Sequence, residues 1–140
     1  MKHITVLIID EHPEVSVRLA HGLSAMGGFR VVAHTTNPIW AAEFAHHWKP
    51  QIIIADFKRG PRPRAEMVRW MKESSPDSQI VVFSSYFLDD ERNDFWHAGA
   101  TSCLLKGLTL NELAGELRNV AHEVEAIGAV SMNALKGRAK

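Results

Sequence analysis

The chain has 140 residues, 46% of them hydrophobic, and its 16 basic residues balance its 16 acidic residues to a formal net charge of zero. This length predicts one compact domain, and the balanced charge argues against a protein that binds nucleic acid through overall positive charge. The single cysteine, Cys103, excludes an internal disulfide and a multi-cysteine zinc site, so we expect a reducing, cytoplasmic location. The first apolar run, residues 4–9, is too short for a signal sequence or a membrane span.

Short apolar runs alternate with stretches of helical spacing along the chain. The predicted strands are residues 4–9, 29–33, 52–55, 80–83 and 101–105. The predicted helices are residues 14–26, 38–48, 65–74, 89–98 and 110–125. Because parallel strands need long crossover connections, this alternation predicts an α/β fold, in which helices cover both faces of an open parallel sheet.

Local signals indicate where elements and the domain end. Gly27 is expected to close the first helix, and Asn37 is expected to cap the second. The helical pattern weakens near the C-terminus, where the last basic residues favour a solvated tail over a binding element. The sequence therefore predicts one domain over residues 1–125 and a C-terminal tail or linker stub over residues 126–140.

Acidic residues follow the first and third predicted strands. The segment "VLIIDEHP" places Asp10 and Glu11 after the first strand, and "IIIAD" ends in Asp56. These strands are neighbours in a doubly wound sheet, so the carboxylates are expected at one edge. Carboxylates about 4 Å apart repel by roughly 4 kcal/mol at an effective dielectric near 20, and Mg²⁺ is a cation suited to such oxygen ligands. Taken alone, Asp56 also fits a surface carboxylate that starts a loop and pairs with the arginines behind it.

A hydroxyl and an ammonium group are predicted at the same edge. Ser84 follows the apolar run "IVVF", and Lys106 follows "SCLL". A serine hydroxyl donates a hydrogen bond, and a lysine ammonium group suits a phosphoryl group as a point charge. The joint pattern of acids, hydroxyl and lysine therefore predicts phosphoryl chemistry, although each residue alone is a weak signal.

The segments "VLIIDEHPEV", "IIIAD", "VVFSSY" and "GATSCLLKG" resemble the receiver domain of two-component response regulators. Within that family, "DEHP" is most similar to the NarL/FixJ, or LuxR-type, subgroup. The resemblance implies a flavodoxin-like, CheY-like fold, with a five-stranded parallel sheet in the order 2-1-3-4-5 and five helices. It also implies that the aspartate of strand three accepts a phosphoryl group from a sensor histidine kinase or a small phosphodonor.

The resemblance assigns a role to each matching residue. Asp56 becomes the phospho-acceptor, and Ser84 and Lys106 bond oxygens of the phosphoryl group. The Mg²⁺ ligands become Asp10, Glu11, Asp56 and the main-chain carbonyl of Lys58. Such a domain signals by phosphorylating itself from a phosphodonor and is not an enzyme that turns over a substrate.

The loop after Asp56, "FKRGPRPR", departs from the Met-Pro-Gly turn that is usual in this family. We hypothesise that Lys58 forms a salt bridge to Asp56 that competes with Mg²⁺ and slows phosphorylation. A solvated Lys58 that lends only its carbonyl is an equal alternative, because surface ion pairs are usually weak. The arginines of this loop, Arg59, Arg62 and Arg64, are expected to be solvated more often than they contact an acidic partner.

Cys103 is a second departure, because the position three before the lysine commonly carries an aromatic ring that moves on activation. A thiol cannot act in that way, so either Tyr86 and Phe87 relay the switch or the coupling is weak. Cys103 is expected to behave as a small buried hydrophobe rather than as a redox sensor.

Aromatic residues on two predicted helices raise further expectations. Trp40, Phe44 and Trp48 are spaced as one helical stripe, which predicts packing against the core. Phe95 and Trp96 lie on the fourth helix, and the resemblance implies a homodimer through the surface of helices four and five.

Three functions are consistent with these patterns. The first is a phosphorylated receiver from a transcriptional regulator, which contacts DNA only through an output domain not present in this chain. The second is a degenerate receiver that signals by protein contact without phosphorylation, which the altered loop favours. The third is a small phosphotransfer enzyme, which is disfavoured because Lys58 stands where a second acid would be needed. No membrane contact is expected in any of them.

Overall fold

The computed structural model describes residues 2–123, which contain five strands and five helices. The strands are β1 (Ile4–Asp10), β2 (Phe29–Thr35), β3 (Ile52–Asp56), β4 (Gln79–Ser84) and β5 (Ala100–Leu105). The helices are α1 (Pro13–Met26), α2 (Pro38–Trp48), α3 (Arg64–Ser74) and α4 (Glu91–Ala98), followed by α5, described over residues 110–123. The predicted alternation is confirmed. The predicted tail, residues 126–140, lies outside the described residues.

The five strands form one parallel sheet in the order β2-β1-β3-β4-β5, as predicted. Every residue of β3 is buried, and so are the last five residues of β1, because helices cover both faces of the sheet. The order places β1 and β3 side by side, with Asp10 opposite Asp56 in their register. The C-terminal ends of β1, β3, β4 and β5 therefore define one edge of the domain.

The core consists of two apolar layers on opposite faces of the sheet. Alternate strand residues point to opposite faces, so Leu7 and Ile9 belong to one layer, and Val6 and Ile8 belong to the other. The first layer packs against α2, α3 and α4, and the second packs against α1 and α5. This two-sided packing fixes the positions at which the strands end.

Helix ends follow the sequence signals. Gly27 ends α1 with φ 78°, a conformation that glycine adopts readily, and the Asn37 side chain accepts a hydrogen bond from Ile39 N at the start of α2. Thr109 and Glu112 form a reciprocal capping box at the start of α5, with distances of 3.0 and 3.1 Å. Within residues 2–123, no helix combines the length and the apolar composition needed to cross a membrane.

The predicted core stripe on α2 is wrong in two of its three positions. Trp40 and Trp48 are 58% and 45% exposed, whereas small residues of the same helix fill the core face. These buried residues are Ala41, Ala42 and Ala45. The helix approaches the sheet closely through its alanines, so the tryptophans remain outside and Trp40 stacks on the half-buried Phe44 instead.

Of the two adjacent aromatic residues on α4, only Trp96 is available to an interface. Phe95 is fully buried in α4 and contacts Phe87 edge-to-face, with ring centroids 6.0 Å apart. Its neighbour Trp96 points the other way and is 66% exposed. Successive residues of a helix face directions about 100° apart, so only one of two adjacent aromatic residues reaches the core.

Candidate functional site

Parallel strand ends bring the predicted site residues to one edge of the sheet. Asp10 and Asp56 are only 2% and 8% exposed. Ser84 ends β4 and is 3% exposed, and Lys106 follows β5, where its backbone N–H donates to the Ser84 carbonyl at 2.9 Å. The structure therefore places two acids, a hydroxyl and an ammonium group together.

The ammonium group of Lys106 bridges the two aspartates. Its Nζ lies 2.7 Å from Oδ2 of Asp10 and 2.7 Å from Oδ2 of Asp56. Burial by itself lowers the pKa of Lys106, but the hydrogen bonds and charges of both carboxylates outweigh it and raise the pKa above its ordinary value. The lysine is therefore charged at neutral pH, and it offsets the repulsion between the aspartates.

The second oxygen of Asp10 is held by the start of α1. His12 is the N-cap of this helix, and its backbone N–H donates to Asp10 Oδ1 at 2.9 Å. The imidazole Nδ1 of His12 lies 3.1 Å from the same oxygen. Glu11 is the neighbouring acid, and its buried Oε2 has no hydrogen-bond partner within residues 2–123. A buried carboxylate oxygen without a partner favours a cation beside it.

Arg64, the first residue of α3, enters the site from the other side of Asp56. The residue is 6% exposed, and its Nη1 donates to Asp56 Oδ1 at 3.2 Å and to Ser84 Oγ at 3.1 Å. Its guanidinium group also lies 5.3 Å from the ring centroid of Phe95. Each oxygen of Asp56 therefore has its own cation, Lys106 at Oδ2 and Arg64 at Oδ1.

Glu91, the first residue of α4, holds Arg64 in this position. Its Oε1 accepts from Arg64 Nη2 at 3.2 Å, and its two oxygens accept a bidentate pair from Arg59 at 2.7 and 2.8 Å. Burial acts to raise the pKa of Glu91, but the hydrogen bonds from Arg59 and Leu88 N–H and the charge of Arg64 lower it to about 2. The ionised Glu91 therefore ties the loop after β3 to the start of α4.

The solvated-loop interpretation is wrong for Arg64 and Arg59. Arg64 shares the buried face of α3 with Val68 and Met71, at positions i, i+4 and i+7. That spacing, an arginine in register with an apolar stripe, was the available sequence signal. Because the helix was predicted to start at residue 65, Arg64 was assigned to the loop, and its alignment with the apolar face of α3 was missed.

The hypothesised salt bridge between Lys58 and Asp56 is absent from the described residues. Lys58 is exposed, and the cations that contact Asp56 are Arg64 and Lys106. The simpler expectation, that Asp56 pairs with an arginine behind it, is correct for Arg64. Asp56 is nevertheless a buried residue and not a surface carboxylate.

The residues expected to relay a switch lie next to this network. Tyr86 is 55% exposed, the Arg59 guanidinium group lies 4.6 Å from its ring centroid, and its carbonyl accepts from Ser84 Oγ at 3.1 Å. Cys103 is half-buried against the core, and burial raises the pKa of its thiol. A raised pKa disfavours the reactive thiolate, in agreement with a small apolar role. A role of Tyr86 or Cys103 in switching remains a prediction.

The donors at this edge fit a hard divalent cation. One ligand atom each from Asp10, His12 and Asp56 lie within 4.8 Å of one another, and Glu11 adds the unpartnered oxygen described above. Mg²⁺ prefers one or two carboxylates together with water and phosphate oxygens, which suits these acids better than the imidazole. The aspartate oxygens already contact internal donors, so a metal ion has to compete with them.

Comparison with known proteins identifies the fold and its family. Residues 6–118 match the response regulator receiver domain family. The chain belongs to this family. It is therefore a receiver domain of a two-component response regulator, a class of signalling domain that binds Mg²⁺ at an acidic site.

Sequence relatives of this receiver are longer response regulators. The chain is 26% identical over 137 residues to the response regulator protein VraR of Staphylococcus saprophyticus, covering 98% of this chain and 66% of the relative. It is 25% identical over 118 residues to VraR of Staphylococcus aureus, covering 84% of this chain and 56% of the relative. The chain therefore spans between about half and two thirds of these curated relatives.

Solved receiver structures share the fold. The NarL receiver domain of Mycobacterium tuberculosis aligns with a TM-score of 0.78 at 19% identity, covering 87% of this chain and 98% of its own. A LuxR-family DNA-binding response regulator of Staphylococcus aureus aligns with a TM-score of 0.75 at 14% identity, covering 84% and 98%. Together with the sequence relatives, these matches confirm the predicted resemblance to NarL/LuxR-type receivers.

Proposed function

We propose that this receiver domain accepts a phosphoryl group on Asp56 with the help of Mg²⁺. The observation that carries the proposal is the pair of buried carboxylates, Asp10 and Asp56, held 2.7 Å on either side of Lys106 Nζ at the strand ends. A buried acid with a cation beside it is suited to nucleophilic attack on a phosphoryl group. The metal ligands would be Asp10, Glu11, Asp56 and the main-chain carbonyl of Lys58.

Phosphoryl transfer to Asp56 balances without any further reactant. A side-chain oxygen of Asp56 attacks the phosphorus atom of a phosphohistidine or an acyl phosphate, and a new P–O bond forms. The P–N bond of phosphohistidine, or the P–O bond of the acyl phosphate, breaks, and its electron pair leaves with the imidazole or the carboxylate. The released imidazole takes up a proton from water, whereas acetate leaves as the anion.

This chain's own residues position the group and neutralise its charge. Lys106 already donates to Asp56 Oδ2, and after transfer it would donate to one phosphoryl oxygen. The Ser84 hydroxyl would donate to a second phosphoryl oxygen. When bound, Mg²⁺ supplies further positive charge against the phosphoryl oxygens. Positioning and charge neutralisation therefore account for the reaction, because the donor phosphoryl group is already activated.

We extend the proposal to partners by analogy with the relatives. A sensor histidine kinase is the phosphodonor, and the output is regulation of transcription, since the similar LuxR-family response regulator of Staphylococcus aureus is a DNA-binding protein. DNA contact would come through an output domain and not through residues 2–123. The exposed Trp96 of α4 supports a homodimer through the α4 and α5 surface. A cytoplasmic location remains a prediction from the sequence.

Intact mass spectrometry after incubation with Mg²⁺ and acetyl phosphate tests the proposal. We expect one phosphoryl adduct on the wild type and none on Asp56→Asn. The matched control is Asp77→Asn, an exposed aspartate that precedes β4 at the opposite end of the sheet and should keep the adduct. An adduct that persists in Asp56→Asn, or none on any variant, would contradict the proposal.

One observation favours a second function, a phosphorylation-independent interaction module. Both oxygens of Asp56 are already bonded to internal cations, Lys106 and Arg64, so the carboxylate is held in place without a phosphoryl group or a metal ion. This alternative predicts that the protein binds its partner equally well with and without acetyl phosphate, and that Mg²⁺ binds only weakly. A phosphoryl adduct that changes partner binding rules it out.

A further inference from the structure

We propose that Arg64 is a ligand of the phosphoryl group on Asp56, and that it opposes Mg²⁺ in the unmodified protein but stabilises the modified one. This inference rests on the proposed function, since it needs Asp56 to accept a phosphoryl group. It assigns a role to a residue outside the acid, hydroxyl and lysine pattern that the strand ends present.

The first argument is position. A single atom, Arg64 Nη1, donates both to Asp56 Oδ1 and to Ser84 Oγ, at 3.2 and 3.1 Å. Any group attached to that oxygen of Asp56 lies within reach of this guanidinium group. The contact with Asp56 is also longer than the 2.7 Å contact of Lys106 with the other oxygen, so Oδ1 is the more weakly held of the two.

The second argument is the chemistry of the guanidinium group. Arg64 is 6% exposed, so water screens its charge only weakly. Guanidinium groups donate charge-assisted hydrogen bonds to phosphate oxygens. Nη1 of Arg64 now has Oδ1 as its acceptor on Asp56, and a phosphoryl group on that residue adds three acceptor oxygens. Modification therefore adds acceptors on the side of Arg64 that faces Asp56.

The third argument is that Arg64 is held in place from behind. Glu91 accepts from its Nη2 at 3.2 Å, and Glu91 itself is ionised and paired with Arg59. Helix α3 fixes the backbone, since Arg64 is its first residue and continues the buried face. A charged side chain positioned in advance binds an anion with little loss of side-chain entropy.

These arguments predict opposite effects of one charge on two ligands. In the unmodified protein, the guanidinium cation lies beside Asp56 and repels a divalent ion bound to the same carboxylate. After modification, the same cation attracts the added phosphoryl charge. A change that merely loosens the fold would lower the affinity for both ligands. Opposite changes in the two affinities therefore distinguish a direct role of Arg64 from a structural one.

The test measures two affinities in the full chain. Mg²⁺ alone is titrated by isothermal calorimetry, and beryllofluoride, a mimic of a phosphoryl group on a carboxylate, is titrated at saturating Mg²⁺. In Arg64→Gln we expect beryllofluoride binding to weaken about tenfold, the loss of one charge-assisted hydrogen bond. We expect Mg²⁺ binding to the unmodified protein to strengthen about threefold or more.

Two further variants control the test. Arg64→Lys keeps the charge with a different geometry, so it should leave Mg²⁺ binding near the wild-type value while beryllofluoride binding falls. Arg62→Ala removes an exposed arginine two residues before Arg64 and should change neither affinity. Far-ultraviolet circular dichroism verifies that each variant is folded, and Arg64→Lys carries the test if Arg64→Gln is not folded.

The outcomes separate this inference from the proposed function. If wild type binds beryllofluoride and Arg64→Gln matches Arg62→Ala in both affinities, the role of Arg64 is refuted and phosphorylation of Asp56 stands. If both affinities fall together in Arg64→Gln, Arg64 is only structural and the inference is also refuted. If wild type shows no acetyl phosphate adduct and no beryllofluoride binding, the proposed function fails and the inference fails with it.

Discussion

The two sides of Asp56 differ in where their residues come from. On the Oδ2 side, Asp10 ends β1 and Lys106 follows β5, and parallel topology alone brings them to Asp56. On the Oδ1 side, Arg64 and Glu91 are the first residues of helices α3 and α4, and their contacts depend on loop length and helix register. The first side carries the residues on which the resemblance to receiver domains rests, whereas the second lies outside that pattern. Four substitutions, from the largest expected effect to the smallest, test this contrast.

Lys106→Met should have the largest effect on stability. It removes the only cation that bridges Asp10 and Asp56 among the described residues, and leaves two buried carboxylates facing each other. We expect a loss of about 2 to 3 kcal/mol in the free energy of unfolding without metal, measured by urea denaturation. Saturating Mg²⁺ should restore much of this loss, because the ion replaces the missing charge. An unchanged midpoint in the absence of metal would contradict the electrostatic role.

Glu91→Gln should have the next largest effect, on the Oδ1 side. The folded-state pKa of Glu91 is about 2, below its ordinary value of 4.5, so ionised Glu91 stabilises the fold above about pH 4.5 and that stabilisation is lost as the pH falls towards 2. We expect Glu91→Gln to cost about 1 to 2 kcal/mol at pH 7, discounted because solvent screens its partly exposed partner Arg59.

The pH dependence provides the check on Glu91. Stability measured at several pH values should show the gap between wild type and Glu91→Gln narrowing between about pH 4.5 and pH 2, because both side chains are then uncharged. A gap that stays constant over this range would show that Glu91 acts through packing and not through its charge.

Arg59→Met should have a smaller effect. Arg59 is partly exposed, but its bidentate bond with Glu91 and its position over Tyr86 join the loop after β3 to the segment after β4. We expect a loss of about 0.5 to 1 kcal/mol by thermal or urea unfolding, together with a raised pKa of Glu91. Carbon-detected nuclear magnetic resonance of the Glu91 carboxyl group measures that pKa. A value still near 2 would contradict the role of Arg59.

Lys58→Asn should have the smallest effect. Lys58 is exposed and has no ion pair with Asp56, so Mg²⁺ affinity and the rate of modification by acetyl phosphate should both stay within about twofold of wild type. The comparison with Arg64→Gln is direct, since both substitutions remove one cation from the segment that follows Asp56 in the chain. A large rise in Mg²⁺ affinity in Lys58→Asn would show that Lys58, after all, competes with Mg²⁺ for Asp56.

The sheet and the Oδ2 side were predictable because their signals are local. Apolar runs such as residues 52–55 end at a single polar residue, and parallel order then dictates which strand ends meet. The Oδ1 side was not predictable in the same way. Whether Arg64 points to solvent or to Asp56 depends on where α3 begins, and helix ends are the least certain feature of a sequence-based prediction.

The tryptophans of α2 illustrate the same limit. Their spacing predicts a buried stripe, but the helix uses its alanines to approach the sheet and leaves Trp40 and Trp48 outside. Periodicity indicates that a helix has an apolar face, and the packing distance decides which residues occupy it. Helix α3 shows the reverse case, because the charged residue Arg64 is buried on its apolar face.

The most direct test of the two-sided account is a crystal structure of the full chain with Mg²⁺ and beryllofluoride. We predict beryllium bonded to a side-chain oxygen of Asp56, with Lys106 and Arg64 both donating to fluorine atoms. A structure in which Arg64 contacts no fluorine would contradict the account of the Oδ1 side. Beryllofluoride bound away from Asp56 would contradict the phospho-acceptor itself.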